Sequence, residues 1–137
     1  MIESAPTILV IDDSAAIRRR LIKLLEPINA SFEEAENGQQ AWDMITTTRF
    51  DVVITDIDMP LMNGIELCRR MRNSEQTRSI PVVVVSAKDI TTEERKRLNG
   101  HIEAVYQKGS LPTRKFVDKV INVIEESNDK QGQEGKS

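Results

Sequence analysis

The chain of 137 residues has room for one domain with a hydrophobic core, and too little for two ordinary domains. Its residues are 39% hydrophobic and 30% charged, and the net charge of -3 gives no positive field that would attract nucleic acid, so we expect no direct DNA contact. The apolar runs are far shorter than the roughly 20 residues that span a bilayer and no charged-then-apolar leader opens the sequence, so we expect no membrane segment and a cytoplasmic location.

The first strand and helix follow from the pattern of apolar residues. Residues 7–11 are an unbroken β-branched and aliphatic run, typical of a strand buried on both faces of a parallel sheet. The run ends at Asp12 and Asp13, and Ser14 is suited to cap the next helix. The apolar residues of that helix share one stripe: Ile17, Leu21, Leu24, Leu25 and Ile28. Three arginines, residues 18–20, fall on its wet side, as a solvated face or as a docking patch for an acidic partner.

The rest of the chain repeats the alternation of strand and helix patterns. The predicted strands are residues 31–35, 52–55, 81–86 and 103–107, and the predicted helices are residues 39–47, 65–72, 91–98 and a last helix from about Pro112. Charge inside residues 31–35 indicates an edge strand. Thr91 and Glu94 have the spacing of a capping box, but the helix they open has little besides Ile90 and Leu98 to bury. We therefore expect it to be the most weakly attached helix.

The composition of the chain ends predicts the bounds of the domain. Residues 127–137 contain nothing to bury, which predicts a disordered tail or the start of a linker after a domain at residues 6–126, with residues 1–5 as an N-terminal extension. Cys68 cannot form an internal disulfide and is predicted to be a small apolar core residue.

Five strand-helix units in strict alternation imply an α/β domain, with one parallel sheet covered by helices on both faces. Ligands of such sheets bind beyond the carboxyl ends of the strands. The polar residues that end the strands should therefore share one rim. They are Asp12 and Asp13 after the first strand, Asp56 after the third, Ser86 after the fourth and Lys108 after the fifth.

Three carboxylates at one rim would repel one another, by roughly 4 kcal/mol for two unit charges about 4 Å apart at an effective dielectric near 20. A small hard dication would relieve this repulsion, and Mg²⁺ prefers oxygen ligands in an octahedron while keeping several waters. We expect Asp13 and Asp56 to be direct ligands, Asp12 to hold a coordinated water, and the backbone carbonyl of Asp58 to face the ion.

A carboxylate is also able to attack phosphorus and form an acyl phosphate, a reaction that requires alignment and neutralisation of charge on the equatorial oxygens. Asp56 is the predicted acceptor. Lys108 is suited to bind a second phosphoryl oxygen, and the Ser86 hydroxyl to donate to a third.

With these residues the chain resembles the receiver domain of two-component response regulators, over roughly residues 6–126. The resemblance rests on residues 8–14 (ILVIDDS), residues 51–60 (DVVITDIDMP) with Gly64, residues 85–87 (VSA) and Lys108. It implies a flavodoxin-like, doubly wound sheet of five parallel strands in the order 2-1-3-4-5 with five helices. It also implies phosphotransfer from the phosphohistidine of a histidine kinase to Asp56, with Mg²⁺ held by Asp12, Asp13 and Asp56. Such a protein catalyses only its own phosphorylation and dephosphorylation, as one step of a phosphorelay.

Four further positions have expected roles around this site. Pro60 would stiffen the turn so that the Asp58 carbonyl faces the ion, and Gly64 would permit a positive φ before the next helix. Asp58 and Lys88 each lie two residues beyond a site residue, at places that in the family tune hydrolysis of the acyl phosphate. They could pair across the mouth of the site.

Two positions depart from the family pattern. Receivers usually have a proline after the lysine, joined by a cis bond, whereas Gly109 follows Lys108; since a cis bond without proline costs about 3 kcal/mol, we predict a trans bond. The aromatic residue expected three positions before the lysine is replaced by Val105, and Tyr106 should point to the opposite face of a regular strand. Our hypothesis is that phosphorylation pulls Ser86 inward and shifts the fourth helix, with Tyr106 as a surface contact instead of a rotating gate.

Two alternative functions stay open on the sequence. Residues 52–58 also resemble the Asp-x-Asp strand of haloacid-dehalogenase-type phosphohydrolases, although in those enzymes that strand precedes the acid pair and here it follows it. The chain could also be a receiver-shaped interaction module that is never phosphorylated. For a regulator, we expect a downstream protein or an appended effector domain to bind the face formed by residues 87–127.

Overall fold

A computed structural model describes residues 5–87, 89–98 and 102–136 of the chain. The strands are β1 (Thr7–Ile11), β2 (Ser31–Ala35), β3 (Val52–Thr55), β4 (Val82–Ser86) and β5 (Ile102–Gln107). The helices are α1 (Ala15–Leu24), α2 (Gly38–Thr47), α3 (Gly64–Arg72), α4 (Thr92–Leu98) and α5 (Thr113–Lys136), and a 3₁₀ turn covers Lys108–Ser110.

The five strands form one parallel sheet in the order β2-β1-β3-β4-β5, which confirms the expected topology and the edge position of β2. The register decides which strand ends lie side by side. Ile11 at the end of β1 pairs with Thr55 at the end of β3, and Ser86 at the end of β4 pairs with Gln107 at the end of β5. The residues that follow these strands therefore leave the sheet at the same rim.

The sheet is covered on both faces, as the continuous apolar strands predicted. On one face, α2, α3 and α4 pack on alternate strand residues: Leu9, Ile11, Val53, Val82 and Val84. On the other face, α1 and α5 pack on the residues between them: Ile8, Val10, Val52, Ile54, Val83 and Val85. Cys68 of α3 lies in the first of these clusters and is 1% exposed. Burial raises the pKa of its thiol to about 12, so the predicted role as an apolar core residue is confirmed.

Two predicted helix caps are present. The Ser14 hydroxyl accepts a hydrogen bond from the Ile17 N–H at the start of α1. At the start of α4, the Thr91 N–H donates to the Glu94 carboxylate at 3.0 Å, and the Glu94 N–H donates to the Thr91 hydroxyl at 3.1 Å. Leu98 is the buried residue of α4, whereas α3 buries four residues, so α4 has the smaller apolar attachment to the sheet.

The end of α5 differs from the sequence expectation. The helix continues to Lys136, whereas a disordered tail or linker was expected from residue 127. That expectation considered only the lack of residues to bury. Extending a helix that tertiary packing has already nucleated costs little, and the glutamates, glutamines and lysines of this segment are good helix formers.

Among the described residues, neither α5 nor any shorter helix is both long and apolar enough to cross a bilayer.

Candidate functional site

Three carboxylates meet at the carboxyl end of the sheet. Asp12, Asp13 and Asp56 each offer an oxygen within 4.8 Å of the others. Asp12 and Asp56 are 1% and 4% exposed, whereas Asp13 is open to solvent. The side chains are close because β1 and β3 end level with each other, and the Asp56 N–H donates to the Ile11 carbonyl at 3.0 Å. The predicted acidic cluster is therefore formed.

Lys108 lies between the two buried acids. Its ammonium Nζ is 2.6 Å from Asp12 Oδ2 and 3.0 Å from Asp56 Oδ2. The second oxygen of each acid is held by the backbone: Asp12 Oδ1 accepts the Ser14 N–H at 2.9 Å, and Asp56 Oδ1 accepts the Ile57 N–H at 2.7 Å. The fifth strand thus delivers Lys108 to the acids, as predicted.

Burial and charge act in opposite directions on the titration of these groups. Burial raises the pKa of Asp56, and the hydrogen bond and positive charge of Lys108 only partly offset that effect. For Lys108, burial lowers the pKa, but the hydrogen bonds to Asp12 and Asp56 and the negative charges of these acids together outweigh burial, so the pKa is raised. The ammonium is therefore charged at neutral pH and neutralises part of the negative charge of the cluster.

The donor set fits a hard divalent cation. All three acidic side chains provide oxygen ligands, and the exposed Asp13 leaves one side open to water, as suits an ion that keeps several waters. Asp58, whose carbonyl was expected to face such an ion, is exposed in the loop after β3. Ser86 is fully buried at the end of β4, with Lys108 directly after its register partner on β5.

The loop between β3 and α3 corrects the expectation for Gly64. Its φ is not positive; instead, a Cβ on Gly64 would lie 2.2 Å from the Asp56 carbonyl oxygen, so glycine is needed for close backbone approach. The positive φ belongs to Leu61, at 67°, where the Met62 N–H donates to the Pro60 carbonyl at 2.8 Å across a three-residue turn. A turn is thus present at Pro60, and its residue with positive φ is Leu61.

Both departures from the family pattern are visible in the described residues. No cis peptide bond occurs among them, so the predicted trans bond between Lys108 and Gly109 is confirmed. Val105 packs with the cluster on the α4 face, and Tyr106 packs on the α5 face with its ring 5.6 Å from that of Phe116 in an edge-to-face contact. The expected opposite orientation is confirmed, and Tyr106 is half-buried against Phe116.

The β4–α4 connection contains one contact that the sequence did not predict. The Gln107 side chain donates to Asp89 and accepts from the Ser110 hydroxyl, so it links this connection to the turn that follows Lys108. Lys88, the proposed tuning partner of Asp58, lies outside the described residues.

Arg18 is the site neighbour that sequence reasoning missed. It was placed with Arg19 and Arg20 on the wet side of α1, yet its side chain is 13% exposed and reaches the backbone carbonyl of Asp12. A usable signal was present. Arg18 follows the cap residue Ser14 by four positions, and helical side chains lean toward the N-terminus of their helix.

Comparison with known proteins agrees with this geometry. Residues 8–115 match the family described as "Response regulator receiver domain". The chain is similar to the "Gliding motility regulatory protein" of Myxococcus xanthus, with 30% identity over 104 residues, or 76% of this chain and 13% of that protein. It is 40% identical over 93 residues to the "Transcriptional regulatory protein ResD" of Bacillus subtilis, or 68% of this chain and 36% of ResD. The chain thus spans little more than a third of ResD and a smaller share of the gliding motility protein.

A solved structure shares the fold. The "response regulator receiver domain protein (CheY-like)" from Methanospirillum hungatei matches with a TM-score of 0.82 at 23% identity, covering 93% of this chain and 99% of that chain. Both chains therefore share the flavodoxin-like fold with its five-stranded parallel sheet.

Proposed function

Since the chain belongs to the response regulator receiver domain family, we propose that Asp56 accepts a phosphoryl group from the phosphohistidine of a histidine kinase and thereby switches a partner-binding surface. The observation that supports this most is the cluster of Asp12, Asp13 and Asp56, which have carboxylate oxygens within 4.8 Å of one another. The Lys108 ammonium forms ion pairs with Asp12 and Asp56. An acid cluster of this kind serves both to hold a cation and to present a nucleophile.

In the transfer, a carboxylate oxygen of Asp56 forms a bond to phosphorus while the bond from phosphorus to the donor's imidazole nitrogen breaks. The departing imidazole keeps the electron pair of that bond. Lys108 is within reach of the Asp56 carboxylate and stabilises negative charge on one phosphoryl oxygen. The Ser86 hydroxyl, at the end of the adjacent strand, donates to another.

Mg²⁺ is the proposed cofactor, and when bound it supplies charge neutralisation on the phosphoryl oxygens. Asp13 and Asp56 would be direct ligands, Asp12 would hold a coordinated water, and the Asp58 carbonyl would complete the protein's contribution. The buried Asp12 and Asp56 are held by backbone N–H groups, so their carboxylates are oriented before any ion binds.

The output surface is the face formed by residues 87–127, which includes α4, β5 and α5. Phosphorylation would draw Ser86 inward and shift α4, whose apolar anchor is small. Because Val105 replaces the usual aromatic residue and Tyr106 is already packed on Phe116, this shift would not depend on rotation of an aromatic ring into the site. Asp58 and Lys88 would tune how long the acyl phosphate lasts.

We place the domain at residues 6–126, with residues 1–5 as an extension and residues 127–137 outside it. The only chemistry that we assign to it is its own phosphorylation and dephosphorylation. The partners are a histidine kinase as donor and a downstream protein or appended effector domain in the cytoplasm, with no nucleic acid contact by this domain.

The test is incubation with acetyl phosphate, with and without Mg²⁺, followed by intact-mass measurement. We expect one added phosphoryl group in the presence of Mg²⁺, and none without the ion or in Asp56→Asn. Asp51→Asn is the matched control, because Asp51 flanks the opposite end of the same strand, where its carboxylate accepts the Thr7 N–H. It should be phosphorylated like the wild-type protein. Phosphorylation of Asp56→Asn to the wild-type extent would refute the assignment of the acceptor.

A further inference from the structure

Arg18 differs in its surroundings from the two arginines that follow it. Its side chain is 13% exposed, whereas Arg19 and Arg20 are exposed. The guanidinium makes two contacts. Nη1 donates to the backbone carbonyl of Asp12 at 2.5 Å, and Nε donates to the carboxylate of Glu34 on β2 at 2.9 Å. One side chain of α1 therefore joins the ends of β1 and β2 beside the acidic cluster.

The Asp12 carbonyl needs such a donor. The strand β1 ends at Ile11, and the last bonds of its two ladders are made by the Ile11 carbonyl and the Asp12 N–H. The Asp12 carbonyl lies one step beyond these bonds, in a residue that is almost fully buried. Buried carbonyls are nearly always paired, and a guanidinium supplies a charge-assisted hydrogen bond.

With this bond, each of the three oxygens of Asp12 has a partner. Arg18 holds the carbonyl, the Ser14 N–H holds Oδ1, and Lys108 holds Oδ2. We propose that Arg18 is a positioning residue for the Mg²⁺ site: through the Asp12 carbonyl it fixes the backbone that presents Asp12 and Asp13. Glu34 in turn fixes the guanidinium of Arg18.

This inference rests on the proposed function, because it concerns the same metal site. Residues that orient metal ligands from outside the coordination sphere typically change metal affinity by about 10- to 100-fold when they are removed. Since Arg18 contacts the backbone of Asp12, which would hold a coordinated water, and not a ligand side chain, we expect the lower end of that range.

The experiment compares Arg18→Ala with Arg19→Ala, which removes an exposed arginine from the adjacent position. Isothermal titration with MgCl₂ should show about tenfold weaker binding for Arg18→Ala and less than about twofold change for Arg19→Ala. The Mg²⁺ concentration for half-maximal phosphorylation by acetyl phosphate should shift by the same factor. The rate at saturating Mg²⁺ should stay within about twofold of wild type, because the acceptor and Lys108 are intact.

A second matched pair keeps the inference testable if Arg18→Ala does not fold. Glu34→Gln weakens the anchor of Arg18, whereas Glu33→Gln changes an exposed acid next to it on the same strand. We expect weaker Mg²⁺ binding for Glu34→Gln and no change for Glu33→Gln.

Equal Mg²⁺ affinities within the pairs would overturn the positioning role, as would an Arg18→Ala rate that stays low at saturating Mg²⁺. A wild-type protein that does not bind Mg²⁺ would overturn the proposed metal site and this inference with it. Mg²⁺ binding without phosphorylation would count against the acceptor role of Asp56 alone.

Discussion

Gly64 shows how one residue without a side chain supports the acceptor. An alanine Cβ at this position would lie 2.2 Å from the Asp56 carbonyl oxygen, and the nearby atoms are backbone atoms that cannot rotate away. We expect Gly64→Ala to lower the free energy of unfolding by about 2 to 3 kcal/mol, as overpacking does in other proteins. Urea denaturation provides the measurement.

Gly109→Ala is the control for that prediction. No heavy atom lies within 4 Å of a Cβ built on Gly109, so its free energy of unfolding should change by less than about 0.5 kcal/mol. Similar free energies of unfolding for the two variants would show that the backbone around Gly64 shifts at little cost to make room for a Cβ.

Leu61 combines exposure with a backbone conformation that disfavours it. It is 85% exposed, and its φ of 67° lies at the centre of the turn closed by Pro60 and Met62. At ordinary backbone angles, glycine is less stable than alanine by roughly 0.5 to 1 kcal/mol. Here we expect the opposite order, with Leu61→Gly more stable than Leu61→Ala by about 1 kcal/mol in urea denaturation. The usual order would mean that the turn relaxes without strain in solution.

The helices differ in how many apolar residues attach them to the sheet, and α4 is weakly attached. It buries Leu98, whereas α3 buries Gly64, Leu67, Cys68 and Met71. A helix with so little burial should open locally, at a lower free energy than the whole domain. Its capping box is therefore a large part of its local stability.

Thr91→Ala removes the hydroxyl of that capping box. We expect it to lower the local stability of α4 by about 1 kcal/mol and to speed amide hydrogen exchange there about fivefold, with little effect on global unfolding. Asn63→Ala removes the matching cap of α3, whose side chain accepts the Glu66 N–H at 2.9 Å. Because α3 is anchored by four buried residues, that loss should appear in the global free energy of unfolding. Equal global losses in the two variants would contradict local opening of α4.

Elements and strand ends were predictable from the sequence because both depend on local pattern. A few consecutive residues are enough to recognise the apolar run before Asp56 and the capping pair of Thr91 and Glu94. Contacts between distant segments were not predictable in this way. In the sequence, Arg18 looks like one of three surface arginines, because its partner Glu34 comes from β2. The positive φ of Leu61 belongs to the turn between Pro60 and Met62, and Met62 also accepts a hydrogen bond from Gly38 at the start of α2.

At the scale of the whole molecule, the parallel sheet followed from the alternation of elements, whereas the order of its strands came from resemblance to a family. Alternation with helical crossovers restricts the topology but does not choose which strand lies at the edge. The order chosen brings the acids of β1 and β3 together, with the lysine of β5 reaching across β4. The positions of the site residues therefore depend on β1 and β3 being neighbours in the sheet.

This arrangement predicts how the whole domain depends on Mg²⁺. Lys108 is bound to the Oδ2 atoms of Asp12 and Asp56, so its ammonium competes with a divalent cation for the same acids. In Lys108→Met, two buried carboxylates lose their cation, and removal of one partner from a buried ion pair typically costs about 3 to 5 kcal/mol. We expect the variant to be less stable than wild type without Mg²⁺.

Adding Mg²⁺ should then stabilise Lys108→Met more than wild type. Ligand binding to the folded state raises its stability in proportion to the logarithm of ligand concentration over the dissociation constant. Removing a unit charge about 4 Å from the ion changes its binding free energy by about 1 to 4 kcal/mol, depending on the local dielectric. Urea denaturation of both proteins across a series of MgCl₂ concentrations measures the difference, with the exposed Lys115→Met as control. Equal gains in all three proteins would mean that Lys108 and the cation do not share the two acids.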